Sequence, residues 1–312
     1  MTRQSYLAIL LVLGALGTPG CLPADLRPEP ARIYVTTDLQ ADVRAKQTNT
    51  GQLVFSTDDG WTITLTRLFV SMGGLGFSGD SCNEYSEARY WRVLDLQQAG
   101  PQKVAQIWGL NSCQISYGVS RPNSTAVLGT AITQSDHDFM QNAWAPASSA
   151  TGITTKQGIA MQVVGTAAKA TTAVSFDLGF ADKLGWENCQ RRISGELEPS
   201  LPLVGGETVD VNIEVDPRAL FVGVADTTDP TLAPATTPLM QLIADADQLT
   251  GNANGRIGVD ELITVAMPSA ISDLNLAEYL RQKAYPAMFR YAGDGQCTKQ
   301  EAGRRGPGGG GN

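Results

Sequence analysis

The chain has 312 residues, 42% of them hydrophobic and 17% charged, with 31 acidic against 23 basic side chains and a formal net charge of −8. That balance argues against nucleic acid and against anionic membrane surfaces as electrostatic partners. The chain has a single His, so any Ser-His-Asp or Cys-His arrangement must use His137. G-x-S-x-G elbows, H-E-x-x-H and P-loops are missing as well. The expectation is a binding or structural protein, not an enzyme, although a glycosidase needs only two carboxylates and composition does not exclude one.

The N-terminus carries Arg3, an apolar run from Leu7 to Leu16, small residues and then Cys21. This is the build of an export signal over residues 1–20. The run is too short for an ordinary spanning helix, and no later stretch approaches about 18 apolar residues, so the mature chain is expected not to cross a membrane. Gly20 before Cys21 at the end of the apolar run resembles a bacterial lipoprotein signal. The resemblance implies acylation of Cys21 as the first mature residue, a cell-envelope location and contact with the membrane through the lipid anchor only. Leu22 after the Cys implies sorting to an outer membrane. Thr18-Pro19 departs from the usual Leu-small pair, and ordinary cleavage near Gly17 or Gly20, giving a secreted or periplasmic protein, is the alternative. Loss of residues 1–20 leaves 22 basic against 31 acidic side chains. Residues 21–31 form a Pro-rich, semi-rigid tether with Pro23, Pro28 and Pro30.

Residues 32–225 are read as one antiparallel β-sandwich domain. The predicted strands are Ile33–Val35, Leu53–Phe55, Trp61–Leu65, Leu68–Met72, Tyr90–Leu96, Gln114–Val119, Ala126–Ile132, Ile159–Val164, Thr172–Phe180, Cys189–Ser194, Thr208–Val215 and Ala219–Val224. Val209, Val211, Ile213 and Val215 alternate with Asp210, Asn212 and Glu214, which gives one buried and one wet face. Trp61, Ile63 and Leu65 alternate with Thr62 and Thr64 in the same way. Frequent turn residues and β-branched side chains point to a sandwich, and the lack of βα alternation argues against a parallel doubly wound sheet.

Cysteine arithmetic fits export. Setting aside Cys21 leaves Cys82, Cys113, Cys189 and Cys297, an even number with three possible pairings. Cys82–Cys113 with Cys189–Cys297 is preferred because the first pair is close in sequence. A bridge closing a loop of about 30 residues contributes roughly 3–4 kcal/mol. Scattered Cys without a CxxC argue against zinc. Asp136-His137-Asp138 is read as a solvated turn or helix start, since neighbours on a strand face opposite ways and cannot share an ion. The five Trp, at 61, 91, 108, 144 and 186, are read as packing residues, with carbohydrate stacking as a minor alternative.

Residues 236–297 are read as a small α-helical module. Leu239, Met240, Leu242 and Ile243 follow Pro238 at helical spacing. A second helix is predicted from Val259 to Met267, stopped by Pro268. A third is predicted from Asn275, with Glu278 completing a capping box and Pro286 kinking or restarting it. Between the first two lies Asn252-Ala253-Asn254-Gly255-Arg256-Ile257-Gly258-Val259-Asp260-Glu261. Calcium takes six to eight hard oxygens, which a twelve-residue loop supplies from positions 1, 3, 5, 7, 9 and 12 around a Gly at position 6. With Gly255 at position 6, Asn252 is position 3, Asn254 position 5, the Arg256 carbonyl position 7, Gly258 position 9 and Glu261 position 12. This resembles the calcium loops of EF-hand and dockerin modules. The resemblance covers this loop alone and implies a calcium site. Position 1 holds Thr250 where those loops carry Asp, but a lengthened loop brings Asp247 or Asp245 within reach. With Glu261 as the one certain charged ligand, the expected affinity is about 10⁻⁴ to 10⁻³ M. An ion-free turn held by Asn side chains is the alternative.

Two further readings compete. Thr64 to Met72, followed by Cys82, Asp95-Leu96 and Cys113, is similar in order and spacing to periplasmic copper-binding proteins that work beside methanobactin systems. The likeness lies within residues 64–113 and lacks their several His ligands; it implies copper binding. A glycan-binding module is the other reading, resting on the Trp residues, with the protein or glycan ligand unidentified. Gly303 to Asn312 is a Gly-rich tail, disordered by composition.

Overall fold

The computed structural model describes residues 28–85, 90–149, 152–222, 239–249, 253–269 and 271–300. The expectations for the export signal, Cys21, most of the tether, Pro238, Thr250, Asn252 and the tail 303–312 fall outside these residues.

Along the chain, β1 (Ala31–Leu39) leads to the single turn α1 (Ala41–Arg44), β2 (Leu53–Ser56), β3 (Thr62–Ser78), β4 (Asn83–Glu84), β5 (Trp91–Asp95), β6 (Gln102–Val119) and β7 (Val127–Leu128). The helix α2 (Gln134–Asn142) precedes the hairpin of β8 (Trp144–Ser149) and β9 (Gly152–Gln157). Then come β10 (Met161–Lys169), β11 (Thr172–Phe180), β12 (Leu184–Gln190), the short β13 (Arg192–Ile193), β14 (Glu196–Leu197) and β15 (Leu201–Leu203), and β16 (Thr208–Val215). The C-terminal part holds α3 (Leu239–Leu249), β17 (Arg256–Gly258), α4 (Val259–Leu262), α5 (Leu276–Tyr279), α6 (Tyr285–Ala287), β18 (Phe289–Tyr291) and β19 (Gln296–Lys299).

The protein is mainly β and sandwich-like. The main sheet runs in the order β17-β11-β10-β3-β6-β1-β16-β18. The two longest strands each serve two sets of neighbours. The first half of β3 pairs with β2 and β10, and its second half with β5 and β6. The first half of β6 pairs with β1, and its far half with β3 and β12. Alternation works as the sequence suggests. Ile33, Val35 and Leu39 of β1, and Val211, Ile213 and Val215 of β16, point into one core. Ile63 and Leu65 of β3 do the same, and a register shift opposite Val164 and Gly165 resets the alternation so that Leu68 and Val70 also face inward. Gly165 is required at that shift: a Cβ there would lie 2.4 Å from the Thr64 carbonyl oxygen.

The sheet is mixed where a purely antiparallel one was expected. β1·β16, β5·β7 and β11·β17 are parallel. Both β16 and β17 reach their neighbours by long connections, which tight hairpins cannot provide for parallel pairs. Segment 236–297 supplies helices as expected, but it also supplies β17, β18 and β19 to the sheet. Its Met240, Ile243, Leu262 and Tyr285 lie in the same core as Ile33 and Phe176. The Phe221 ring sits 5.8 Å from Phe55 and 5.2 Å from Phe176, joining the two sides.

Several elements differ from their sequence reading. β6 begins at Gln102, because Gly109, Asn111 and Ser112, which read as turn residues, lie within the strand; Asn111 adopts a φ of 70° that Asn tolerates. Of Ala126–Ile132 only Val127–Leu128 is strand. Of Ala219–Val224, Ala219 and Leu220 lie in a 3₁₀ turn at Pro217–Leu220, whose start is capped by the Asp216 carboxylate accepting from the Arg218 amide, and Phe221 and Val222 follow it. The helix predicted to Met267 ends at Leu262, because Ala266 bridges to Asn275 and the Val265 carbonyl accepts from the Leu276 amide. The Asn275 cap on the Glu278 amide is present. Pro286 stands in the first turn of α6, where the helix restarts, as its sequence reading allows, after a π turn at Leu280–Ala284.

Both disulfides pair as preferred. Cys82–Cys113 has a Cα–Cα distance of 4.8 Å, and Cys189–Cys297 ties β12 to β19. Asp136-His137-Asp138 forms the first turns of α2, where Thr133 and Asp136 make a capping box. The expectation of a solvated segment does not hold for His137, which is only 3% exposed. Its Nε2 lies 2.9 Å from the Asn123 carbonyl, and its Nδ1 lies 3.1 Å from Gln134 Nε2. The helix turns this one polar side chain inward onto a carbonyl that satisfies it.

One electrostatic conflict gives a prediction. Asp38 and Glu214 stand opposite each other on parallel strands. Burial pushes the Glu214 carboxyl above the usual range; Arg290 pulls it down, and Asp38, Asp42 and Asp294 add to the rise. A carboxylate raised in the folded state favours its neutral form there, so stability falls as pH rises through that value. Glu214→Gln is expected to melt higher than the wild type at neutral pH, by no more than about 1 kcal/mol. The gap should close as pH falls below about 4, where both side chains are neutral. Thermal melts of the two proteins across that range check it.

Candidate functional site

The predicted calcium loop folds around Asp247. The buried side of α3 carries Leu239, Met240, Ile243, Ala244, Ala246 and Asp247. Asp247 is therefore a carboxylate on an apolar helix face, and it is 1% exposed. Buried carboxylates need hydrogen-bond donors, and the loop provides them. The Asn254 amide donates to Asp247 Oδ1 at 2.9 Å, and the Gly255 amide reaches both carboxylate oxygens at 3.2 and 3.1 Å. The Ala253 amide donates to the Asp247 carbonyl at 3.0 Å.

Among the described residues of the turn, Ala253 with φ 39° and Gly255 with φ 73° take left-handed backbone. Gly is suited to the second. The Asn254 side chain accepts from the Arg256 amide at 2.7 Å, a side-chain turn that fixes the next step. The Gly255 carbonyl then accepts from both the amide and the hydroxyl of Ser175, at 2.8 and 3.0 Å. Arg256, Ile257 and Gly258 leave the turn as β17, pairing with Ser175, Phe176 and Asp177 on the free side of β11. Ile257 is fully buried. Glu261 sits in the first turn of α4 and accepts from the Gly258 amide at 3.0 Å.

The site residues read from sequence fall into three groups. Asp247, Asn254 and the Arg256 main chain belong to one hydrogen-bonded turn, while the Glu261 carboxylate is held on the Gly258 amide at the start of α4. Thr250 and Asn252 are outside the described residues. Asp245, the other upstream carboxylate, is directed elsewhere: it accepts from Gln241 Nε2 at 2.8 Å, and Gln241 accepts in turn from Trp61 Nε1 and Lys169 Nζ, each at 3.3 Å. Counting a twelve-residue loop back from Gly255 leads to Thr250. The side chain that fastens the turn is Asp247, three residues earlier. The Arg256 guanidinium stands 3.8 Å from Asp177 Oδ2 on the surface.

Among the described residues, no group of three or more His, Cys, Asp and Glu side chains is arranged to hold a metal ion. The chemistry the turn can offer is a set of hard oxygens: two carboxylates, an amide oxygen and main-chain carbonyls. Such donors suit calcium or magnesium, not soft ions. Elsewhere, Cys82, Cys113, Cys189 and Cys297 are consumed in bridges. Trp61 and Trp186 are core residues, whereas Trp144, at the start of the β8–β9 hairpin, is 68% exposed. No described helix is long and apolar enough to cross a membrane. Compared with known proteins, the chain matches no family model, no curated protein and no solved structure.

Proposed function

We propose that this is an exported, membrane-anchored protein of the cell envelope, acylated at Cys21, whose 247–261 loop takes up a calcium ion with a structural role. The ion fastens α3 and α4 to the edge of the sheet. The observation that carries this reading is Asp247, a buried carboxylate held by the amides of Asn254 and Gly255. It supplies the acidic group that Thr250 lacks at the first position of the motif. Asp247, Asn254, the Arg256 carbonyl and Glu261 are the proposed ligands from described residues, with Asn252 and Thr250 completing the set by sequence. Two disulfides support an oxidising, extracytoplasmic setting.

Two carboxylates around a dication make a weak site, with a dissociation constant of about 10⁻⁴ to 10⁻³ M. At a ten- to hundredfold excess of calcium over that constant, folding stability is expected to rise by about 1.4–2.7 kcal/mol. Calorimetric titration and thermal melts of the mature protein, with calcium up to about 10 mM, provide the test. Absence of both binding heat and a melting shift would remove calcium from the reading.

A further inference from the structure

We propose that the end of the sheet where β1 begins is the surface this protein turns toward the bilayer, and that a zwitterionic phospholipid headgroup layer is its partner. The proposal rests on the acylation of Cys21 argued above.

Three strands meet at that end. Arg32 lies between Trp108 on β6 and Thr208 on β16. The Tyr85 amide donates to the Trp108 carbonyl at 3.0 Å, which brings Tyr85 alongside. The turn that follows Val204 presses on the chain at Glu29 so closely that a Cβ on Gly205 would lie 2.4 Å from the Glu29 carbonyl. A groove of about 240 Å³ runs between these parts, lined in part by Glu29, Arg32, Trp108 and Glu207. Tyr85 is 48% and Val204 56% exposed.

Chain length decides which way this end faces. Six residues separate Cys21 from Pro28, and the seven steps between them, fully extended, reach no more than about 25 Å. A globule of about 250 residues has a radius of gyration near 18 Å and is nearly twice that reach across. A lipid on Cys21 therefore holds this end near the headgroups and keeps the far end away. The side chains found there match that place. Tyr and Trp rings settle at the level of headgroups. The Arg32 guanidinium suits a phosphate, while Glu29 and Glu207 suit the ammonium of the same headgroup. The acidic pair disfavours a purely anionic layer.

The test uses the full-length protein extracted from membranes and reconstituted into phosphatidylcholine–phosphatidylethanolamine vesicles, with bromine on the upper acyl carbons to quench nearby Trp fluorescence. Trp108→Phe is expected to remove the largest share of the quenching and Trp144→Phe to leave it in place. The exposed double variant Tyr85→Ser, Val204→Ser should also reduce quenching while melting like the wild type, which separates depth from folding. Vesicles of anionic lipid alone should quench less. If Trp108→Phe leaves the quenching intact, or Trp144→Phe abolishes it, the proposal is overturned. Intact mass separates the two layers of the argument. An acylated Cys21 with quenching indifferent to Trp108 sinks the orientation alone; an unacylated Cys21 sinks the anchor and the orientation with it.

Discussion

Replacing Cys189 and Cys297 together by serine is expected to lower the unfolding free energy by about 4–5 kcal/mol. The bridge spans 108 residues of sequence, against 31 for Cys82–Cys113. In the chain-entropy account, stabilisation grows with the loop closed, so the shorter bridge contributes about 3–4 kcal/mol. The longer bridge also acts locally. β19 pairs only with β12 among the described strands, through Trp186 to Lys299, Glu187 to Thr298 and Gln190 to Gln296. Without the covalent tie, that short ladder holds the strand with little more than the bonds of Lys299 to the Gln282 carbonyl and of Gln300 to Gly185 and Glu187. Denaturant unfolding under non-reducing conditions checks both pairs. The Cys189–Cys297 variant should lose more than the Cys82Ser–Cys113Ser variant, with a melting temperature lower by roughly 10–20 °C. A smaller loss for the long bridge would contradict the entropic explanation.

Asp247→Ala is expected to remove the calcium response entirely and to lower stability by about 3 kcal/mol even without calcium. The second part follows from hydrogen bonds already in place. Truncation strands the amides of Asn254 and Gly255 in a position where Asp247 is almost wholly buried. Two other variants separate structure from ion. Asp245→Ala should keep the calcium response, because its carboxylate belongs to the network of Gln241, Trp61 and Lys169. Glu261→Gln keeps an oxygen for the Gly258 amide but loses the charge, so it should fold near normally and respond weakly or not at all to calcium. Calorimetry on the three proteins reads the ion and denaturant titration reads the fold. Wild-type calcium binding in Asp247→Ala would show that Asp247 acts only as a structural staple.

The sequence made some of this legible and hid the rest for definite reasons. Alternation in Val209–Val215 announced a half-buried strand, and β16 is one. The capped start at Asn275 was readable because its chemistry is local. β6 was half hidden because Gly109, Asn111 and Ser112 carry turn chemistry that pairing with β1, β4 and β15 overrides. His137 was unreadable as a buried residue: it sits among polar neighbours, and the Asn123 carbonyl that receives it lies on a separate segment. At the loop, Gly255, Asn254 and Glu261 were visible through spacing. That the amides of Asn254 and Gly255 close on Asp247 and not on Asp245 is not legible in the sequence, because it depends on where α3 points its last buried turn. Sequence also gave no sign that the residues after that turn would become a strand, since three residues are too few to show a period.

That three-residue strand has a further consequence. β11 would otherwise end the sheet with a row of open main-chain donors and acceptors, the kind of border along which separate molecules add to one another. By laying β17 against Ser175, Phe176 and Asp177, the chain closes part of that border with its own backbone. Anything that loosens the turn at Gly255 therefore uncovers a template for self-association, and clumping of the protein is the outward sign to expect before global unfolding.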